Sequence, residues 1–304
     1  MTKIARKSTK KISISKMEKR NYPLIYLFLL PSIVMFLAFY LVPIITVFTT
    51  SFTEWNGFNS PEFVGMGNYI RLFTNKAFLY SLRNLILWSL IAMTLHVGFG
   101  VLLAFILFRK PKGWKFTRAV FMVPNVISTA AWALIYKFNF NNDMGILNNL
   151  IRKVNPDFNV QWFYNSPYAF WAVTFTWLFF AVIVTLIVLN DLMAIPEEVN
   201  EAAKVDGATA LQVAFKIHLP LCRNSIGTAM ILSITSRVAM YETIVLTTAG
   251  GPGDDTMNLP LILVNSIMNL KHGYANSIGV IMFIIGLATL FIINKSFRMN
   301  ESVY

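Results

Sequence analysis

Six long apolar stretches, separated by polar segments, dominate the pattern of this chain. They run approximately over 24–50, 84–108, 119–138, 168–189, 225–246 and 274–294. A helix needs about 20 mostly apolar residues to cross the hydrocarbon of a bilayer, so each stretch predicts one membrane-spanning helix. The first is too long for a signal peptide, contains Pro31 and Pro43, and lacks a small-x-small cleavage site; it reads as a retained span. Pro124 interrupts the third, which a membrane helix tolerates where neighbours re-satisfy the freed backbone groups. Between spans, Asn56-Gly57, Asn165-Ser166-Pro167 and Gly250-Gly251-Pro252-Gly253 supply turn residues. The expected fold class is therefore an all-α polytopic membrane protein: six transmembrane helices in one domain over residues 24–294, with an arm (1–23) and a tail (295–304).

Charge orients this pattern. Placing the N-terminus inside makes 1–23, 109–118, 190–223 and 295–304 the inner segments, and these hold 18 of the 26 Lys and Arg residues. The outer connections 51–81, 139–167 and 247–273 hold 5. Lys and Arg accumulate on the cytoplasmic side, so both termini are expected there. Composition adds an exclusion: 56% of residues are hydrophobic and 13% charged, against about 25% charged in a soluble chain. A large soluble enzyme and a disordered chain are ruled out. The net charge of +12 could suggest nucleic acid, but position matters more than total. Lys3, Arg6, Lys7, Lys10, Lys11, Lys16, Lys19 and Arg20 face only Glu18 in the first 20 residues. Such an arm beside a span is an orientation signal at an anionic leaflet, and no nucleic-acid partner is expected. The single cysteine, Cys222, excludes an internal disulfide and a cysteine-based zinc site. Most aromatic residues, Trp55, Trp114 and Trp162 among them, are assigned to lipid contact and the interfacial belt.

The inner segment 190–223 is not an ordinary loop. Pro196 suits a first helical position, and Glu197 and Glu198 suit the positive end of a helix dipole. Gly207 can terminate that helix in a left-handed conformation. Thr209 followed by Gln212 is a capping-box signature for a second helix, and Pro220 is expected to stop it before the fifth span. Local rules thus give two short helices joined at a glycine.

Glu201-Ala202-Ala203, then Gly207, then Ile217-x-Leu219-Pro220 fill the fixed positions of the EAA signature. On these residues the chain is identified as a member of the ABC importer permeases. Phe63-Val64-Gly65-Met66-Gly67-Asn68-Tyr69 and Gly145-Ile146-Leu147-Asn148 resemble that family's outer loops. Leu246-Thr247-Thr248-Ala249-Gly250-Gly251-Pro252, Thr256 and Gly273-Tyr274-Ala275 resemble the maltose- and glycerol-phosphate-importer type. Ala249 departs from the tighter spacing expected before the glycines. The resemblance implies an ABC type I importer permease fold. It also implies that Glu201, Ala202, Ala203, Asp206, Gly207, Ile217, Leu219 and Pro220 form the segment that docks into a cytoplasmic ATP-binding subunit, with Lys204 beside them. The implied partners are a second homologous permease, two ATP-binding subunits, and an extracellular or periplasmic solute-binding protein. Membrane lipids and a sugar substrate complete the set. This chain is expected to bind no cofactor, with ATP and magnesium on the partner subunits.

Ionisable groups inside spans cost roughly 2.5–3.5 kcal/mol at a helix centre, so Arg237, Glu242 and His96 require explanation. On a continuous fifth helix, Arg237 lies about 18 Å beyond Ser225 and Glu242 about 25 Å. Ser233, Ser236, Arg237 and Tyr241 then form a polar stripe at helical spacing. Two readings stand: with Glu242 the stripe faces a substrate path suited to a sugar, or these groups pair with neighbouring helices. No nucleotide-binding or catalytic motif is present, and His96, His218 and His272 fall on different sides of the predicted topology. The expected function is the permease subunit of an ATP-driven carbohydrate importer in the cell membrane. A secondary transporter or channel is the alternative, though such carriers use midplane carboxylates in repeated halves that are not seen here.

Overall fold

The computed structural model describes the backbone of residues 16–299 and the side chains of residues 25–299. Most of the basic arm and residues 300–304 therefore lie outside the described residues. Two units divide after Thr49.

In the first unit, α1 (Lys16–Phe36) passes through a π turn at Leu37–Leu41 into α2 (Val42–Thr50). The π turn ends two residues before Pro43. Proline lacks an N–H and its ring collides with the carbonyl four residues back, so widening the helix relieves the clash. The apolar side chains of this rod are exposed, with Phe28 80% and Tyr26 66% accessible, as suits an apolar solvent.

The second unit opens with a ribbon in which β1 (Thr53–Glu54) pairs antiparallel with β2 (Glu62–Phe63), Thr53 opposite Phe63. α3 (Gly67–Thr74) leads to α4 (Lys76–Ile91), a π turn at Ala92–His96 and α5 (Val97–Phe108). This rod begins earlier than the predicted start at 84, because the Asn75 side chain caps it by accepting from the Phe78 N–H at 3.3 Å. α6 (Trp114–Met122) and a 3₁₀ turn at Val123–Val126 precede α7 (Thr129–Asn139). The two parts are bent by 103°, so the interruption expected at Pro124 in the predicted span over 119–138 is a sharp break. Pro124 sits in the 3₁₀ turn, Ile127 is extended, and Ser128 restarts the helix by capping the Ala131 N–H at 3.2 Å.

α8 (Ile146–Arg152) lies in the next connection, followed by α9 (Tyr168–Leu178) and α10 (Val182–Ala194). α11 (Glu197–Val205), α12 (Ala210–Val213), a π turn at Ala214–His218 and α13 (Leu219–Leu221) come next. The chain closes with α14 (Arg223–Val238), α15 (Glu242–Thr247), α16 (Leu259–Met268) and α17 (His272–Ser296). Among the described residues four helices are long and apolar enough to cross a membrane, or five if the bent pair is one span. The predicted fifth span is instead α14 and α15 with a break at 239–241. The predicted polar connection 247–273 contains the apolar helix α16.

Three cores hold the second unit. Val97, Ala104 and Leu107 of α5 pack on Val184, Val188 and Leu192 of α10, with Cys222 and Ile226 alongside. Gly100 permits the closest approach there: a Cβ would sit 2.5 Å from Val184 Cγ1. Thr185 Oγ1 donates to the Gly100 carbonyl at 3.1 Å across the same seam, a small-residue contact typical of apolar helix pairs. A second core joins Trp88, Val173, Trp177, Met240 and Ile244. The third joins Phe78, Leu85, Ile234, Leu259 and Ile278.

Candidate functional site

The EAA segment folds as local chemistry predicts, with two differences. α11 carries Glu197 and Glu198 in its first turn and Lys204 in its last, matching the helix dipole. Gly207 has φ 72° and follows the helix in a Schellman closure. The Gly207 N–H donates to the Lys204 carbonyl and the Ala208 N–H to the Ala203 carbonyl, each at 3.0 Å. Thr209 and Gln212 form the complete capping box. The Thr209 N–H donates to Gln212 Oε1 at 2.7 Å, and the Gln212 N–H to Thr209 Oγ1 at 3.3 Å. The first difference is that Pro196 is the cap rather than the first helical residue. The second is that Pro220 does not stop the second helix. The π turn at Ala214–His218 absorbs the proline, and the helix ends only at Cys222.

This fold sorts the signature into two sets. Ala203 is buried, and Leu219 packs against the α5–α10 core. Glu201, Ala202, Lys204, Asp206, Gly207 and Pro220 are exposed, with Ile217 half-buried. Among the described residues Glu201, Lys204 and Asp206 make no ion pair. Beside them Val205, Leu211 and Phe215 leave 88%, 65% and 66% of their surface accessible. The result is a rigid corner presenting charges around exposed apolar side chains.

His218 was an unassigned position of the signature, yet it holds the corner together. Its Nε2 donates to Asn200 Oδ1 at 2.7 Å, joining α11 to the second helix. The ring is packed against Phe105 and Phe108 of α5. Burial lowers its pKa from the usual imidazole range. Burial, reinforced by Asp191, pushes the Cys222 thiol up to about 12, so the cysteine stays an unreactive small residue.

The second site is a cavity of about 490 Å³ where two helix interruptions meet. Its walls come from the bend before α7, from the end of α9 and from the break between α14 and α15. Ser236, Arg237, Tyr241 and Glu242 line it with Trp132 and Trp177. Ser233 is not among the lining residues; it is buried, with its hydroxyl on the Ala229 carbonyl at 2.7 Å. The continuous polar stripe is thereby corrected, because α14 ends at Val238. The Ser236 hydroxyl is likewise donated to its own helix, to the Leu232 carbonyl at 2.8 Å.

The break is held from outside. Asn258 Nδ2 donates to the Met240 carbonyl, while its Oδ1 accepts from the Leu261 N–H at 3.1 Å and caps α16. Lys137 Nζ donates to the Leu246 carbonyl at 3.0 Å, fixing the end of α15 against α7. Trp132 Nε1 donates to the Thr176 carbonyl at 2.7 Å. Arg237 lies over the Trp177 ring, with its Cζ 4.1 Å from the centroid. His96 meets Trp177 edge-on, and its Nδ1 donates to the Leu178 carbonyl at 2.9 Å. His96 therefore serves packing.

Residues 96–298 match the binding-protein-dependent transport system inner membrane component family. The chain belongs to this family. It is a multi-pass cell-membrane protein, the non-catalytic permease component of such a system. Its relatives extend over almost its full length. It is 32% identical to a probable ABC transporter permease protein of Bacillus subtilis, YurN, over 94% of this chain and 99% of the relative. It is 30% identical to the trehalose/maltose transport system permease protein MalF of Thermococcus litoralis, over 94% and 98%. It shares its fold with a chain of a bacterial alginate ABC transporter, solved in complex with an alginate-pentasaccharide-bound periplasmic protein. That match has a TM-score of 0.79 at 20% identity and covers 92% of this chain and 95% of that one.

Within this permease, several residues outside the expected site set position the cavity and the adjoining Gly-Gly-Pro loop. Asn258 before Leu259-Pro260 was a readable cap signal. Lys137 was a cation inside a predicted span. Asn84 carried no such signal, yet it donates to the Asp255 and Met257 carbonyls at 3.0 Å each and fixes the Gly-Gly-Pro loop to α4. Ala249, the departure in that loop, stands at φ 49°.

Proposed function

We propose that this permease is one half of the translocation path of an ATP-driven carbohydrate importer. The observation that carries the reading is the corner at α11–α12: a capped, rigid turn with unpaired charges around exposed Val205, Leu211 and Phe215. A groove in an ATP-binding subunit would cover such a surface, and closure of two such subunits would move it as a rigid body. Glu201, Ala202, Asp206 and Gly207 would face the partner, while Ala203, Leu219 and Pro220 keep the corner's shape. ATP and magnesium would reside on those subunits. The carbohydrate class draws support from the sugar names of curated relatives, including the multiple sugar-binding permease MsmF of Streptococcus mutans.

The membrane domain over 24–294 would cross six times, α14 and α15 supplying the fifth crossing despite their break, with arm and tail cytoplasmic. One chain makes half a pore, so a second homologous permease completes it, and a solute-binding protein delivers sugar from outside. Ser236, Arg237, Tyr241 and Glu242 would line this half of the path.

The test is sugar uptake and ATPase activity of the reconstituted complex carrying Glu201→Lys or Gly207→Val. Loss of sugar-stimulated ATPase, or failure to co-purify with the ATP-binding subunit, is expected. Normal assembly with normal uptake would disprove the docking assignment. Uptake by the unaltered complex should fail on ATP depletion and survive a protonophore; the reverse would favour a secondary carrier.

A further inference from the structure

The cavity at the α14–α15 break holds a guanidinium that no carboxylate pairs among the described residues. Arg237 Nε is buried without a hydrogen-bond acceptor, and so is Trp177 Nε1 beside it. The guanidinium lies over the Trp177 ring face, with the Met240 sulfur 4.0 Å from Nη1. Among the described residues no carboxylate forms an ion pair with Arg237. Glu242 lines the same cavity but is exposed. Thr129, the first residue of α7, also lines it, which brings the positive end of an eleven-residue helix to the wall. The volume of about 490 Å³ falls within the roughly 300–1,000 Å³ of small-molecule sites.

A guanidinium held against an aromatic ring in a cleft is suited to a carboxylate or another planar oxyanion, which it engages with two parallel N–H donors. Trp132, Trp177 and Phe180 form the aromatic side of the cleft, where the apolar face of a sugar ring can rest. A neutral sugar would leave the guanidinium without an ion-pair partner; a uronate would supply one. We propose that this cavity receives an acidic saccharide, its carboxylate paired with Arg237 and its ring against the tryptophans. The proposal rests on the reading of the cavity as part of the translocation path.

The experiment is uptake into proteoliposomes holding the complete importer, its solute-binding protein and its ATP-binding subunits. The probes are a matched panel in which each uronate has a neutral counterpart of the same linkage, beginning with digalacturonate and galactobiose. The expected result is uptake of acidic members, a half-saturation raised at least tenfold by Arg237→Gln, and partial recovery in Arg237→Lys, which keeps charge but not the planar fork. Co-purification of the partner subunits confirms that each variant assembles. Uptake of neutral members alone, still sensitive to Arg237→Gln, overturns the acidic class and leaves the path reading intact. Equal loss for acidic and neutral members in Arg237→Gln assigns Arg237 a structural role and overturns the proposal. Unchanged uptake of every sugar in both variants removes Arg237 from the path altogether.

Discussion

Gly207 shows why a signature residue has to be read by its conformation. Its φ is 72°, and a Cβ built there would meet nothing within 4 Å. The requirement within this chain is backbone geometry, since left-handed φ costs an L-residue roughly 1–2 kcal/mol. Gly207→Ala is therefore expected to weaken the turn by about 1 kcal/mol and Gly207→Asn by less. The check is amide hydrogen exchange over 203–209, which should speed about fivefold in the alanine variant. His218 carries a different kind of constraint. Its folded-state pKa is depressed by burial, so the unfolded chain binds the proton more readily. Stability is complete above the unfolded pKa of about 6.5 and falls as pH drops from there towards the folded value. The melting temperature of the assembled complex should decline between pH 7 and 5.5. His218→Gln, which keeps a donor for Asn200 without a titrating ring, should flatten that decline.

The interruptions of the helices, more than the helices themselves, shape the cavity. Both π turns that precede a proline end two residues before it, at Leu41 and at His218, so the sequence explains them. The break between α14 and α15 has no such marker, since Val238-Ala239-Met240-Tyr241 contains neither proline nor glycine. It persists because Asn258 supplies a donor to the Met240 carbonyl. Asn258→Leu removes that donor and the α16 cap together. A buried unsatisfied carbonyl costs about 1–3 kcal/mol and a lost cap about 1 kcal/mol. The melting temperature should fall measurably, and sugar uptake should fall further than stability alone explains, because the cavity wall moves. A variant with wild-type melting and uptake would mean that the break is held by other contacts. Gly100 is a comparable point on the α5–α10 seam. Gly100→Val is expected to cost about 1–3 kcal/mol by overpacking, read as a lower yield of folded complex after detergent extraction.

At the scale of the whole molecule, the distribution of charge and the exposed corner lead to the same orientation. If arm, tail and corner are cytoplasmic, a cysteine placed at Lys204 should react with an impermeant maleimide only in inside-out vesicles. One at Asn149 on α8 should react only in right-side-out vesicles. The native background is suited to this experiment: Cys222 is fully buried with its thiol pushed up to about 12. Labelling of both positions from one side would overturn the six-crossing topology.

The sequence by itself determined the class of the molecule and the location of its corner. Long apolar blocks, basic residues on alternate connections, a glycine that must be left-handed and a Thr-Gln capping box are local or compositional facts, readable without any partner. Tertiary structure decided the cavity. Arg237 and Trp177 are sixty positions apart in the chain, and their stacking depends on how α9 packs against α14. The break after Val238 depends on a side chain from another helix that replaces a lost backbone hydrogen bond, whereas the 103° bend before α7 is marked locally by Pro124 and Ser128. In an apolar environment an unpaired backbone group is costly. Where a distant asparagine or lysine supplies the missing bond, a helix can stop at a position that no local pattern marks.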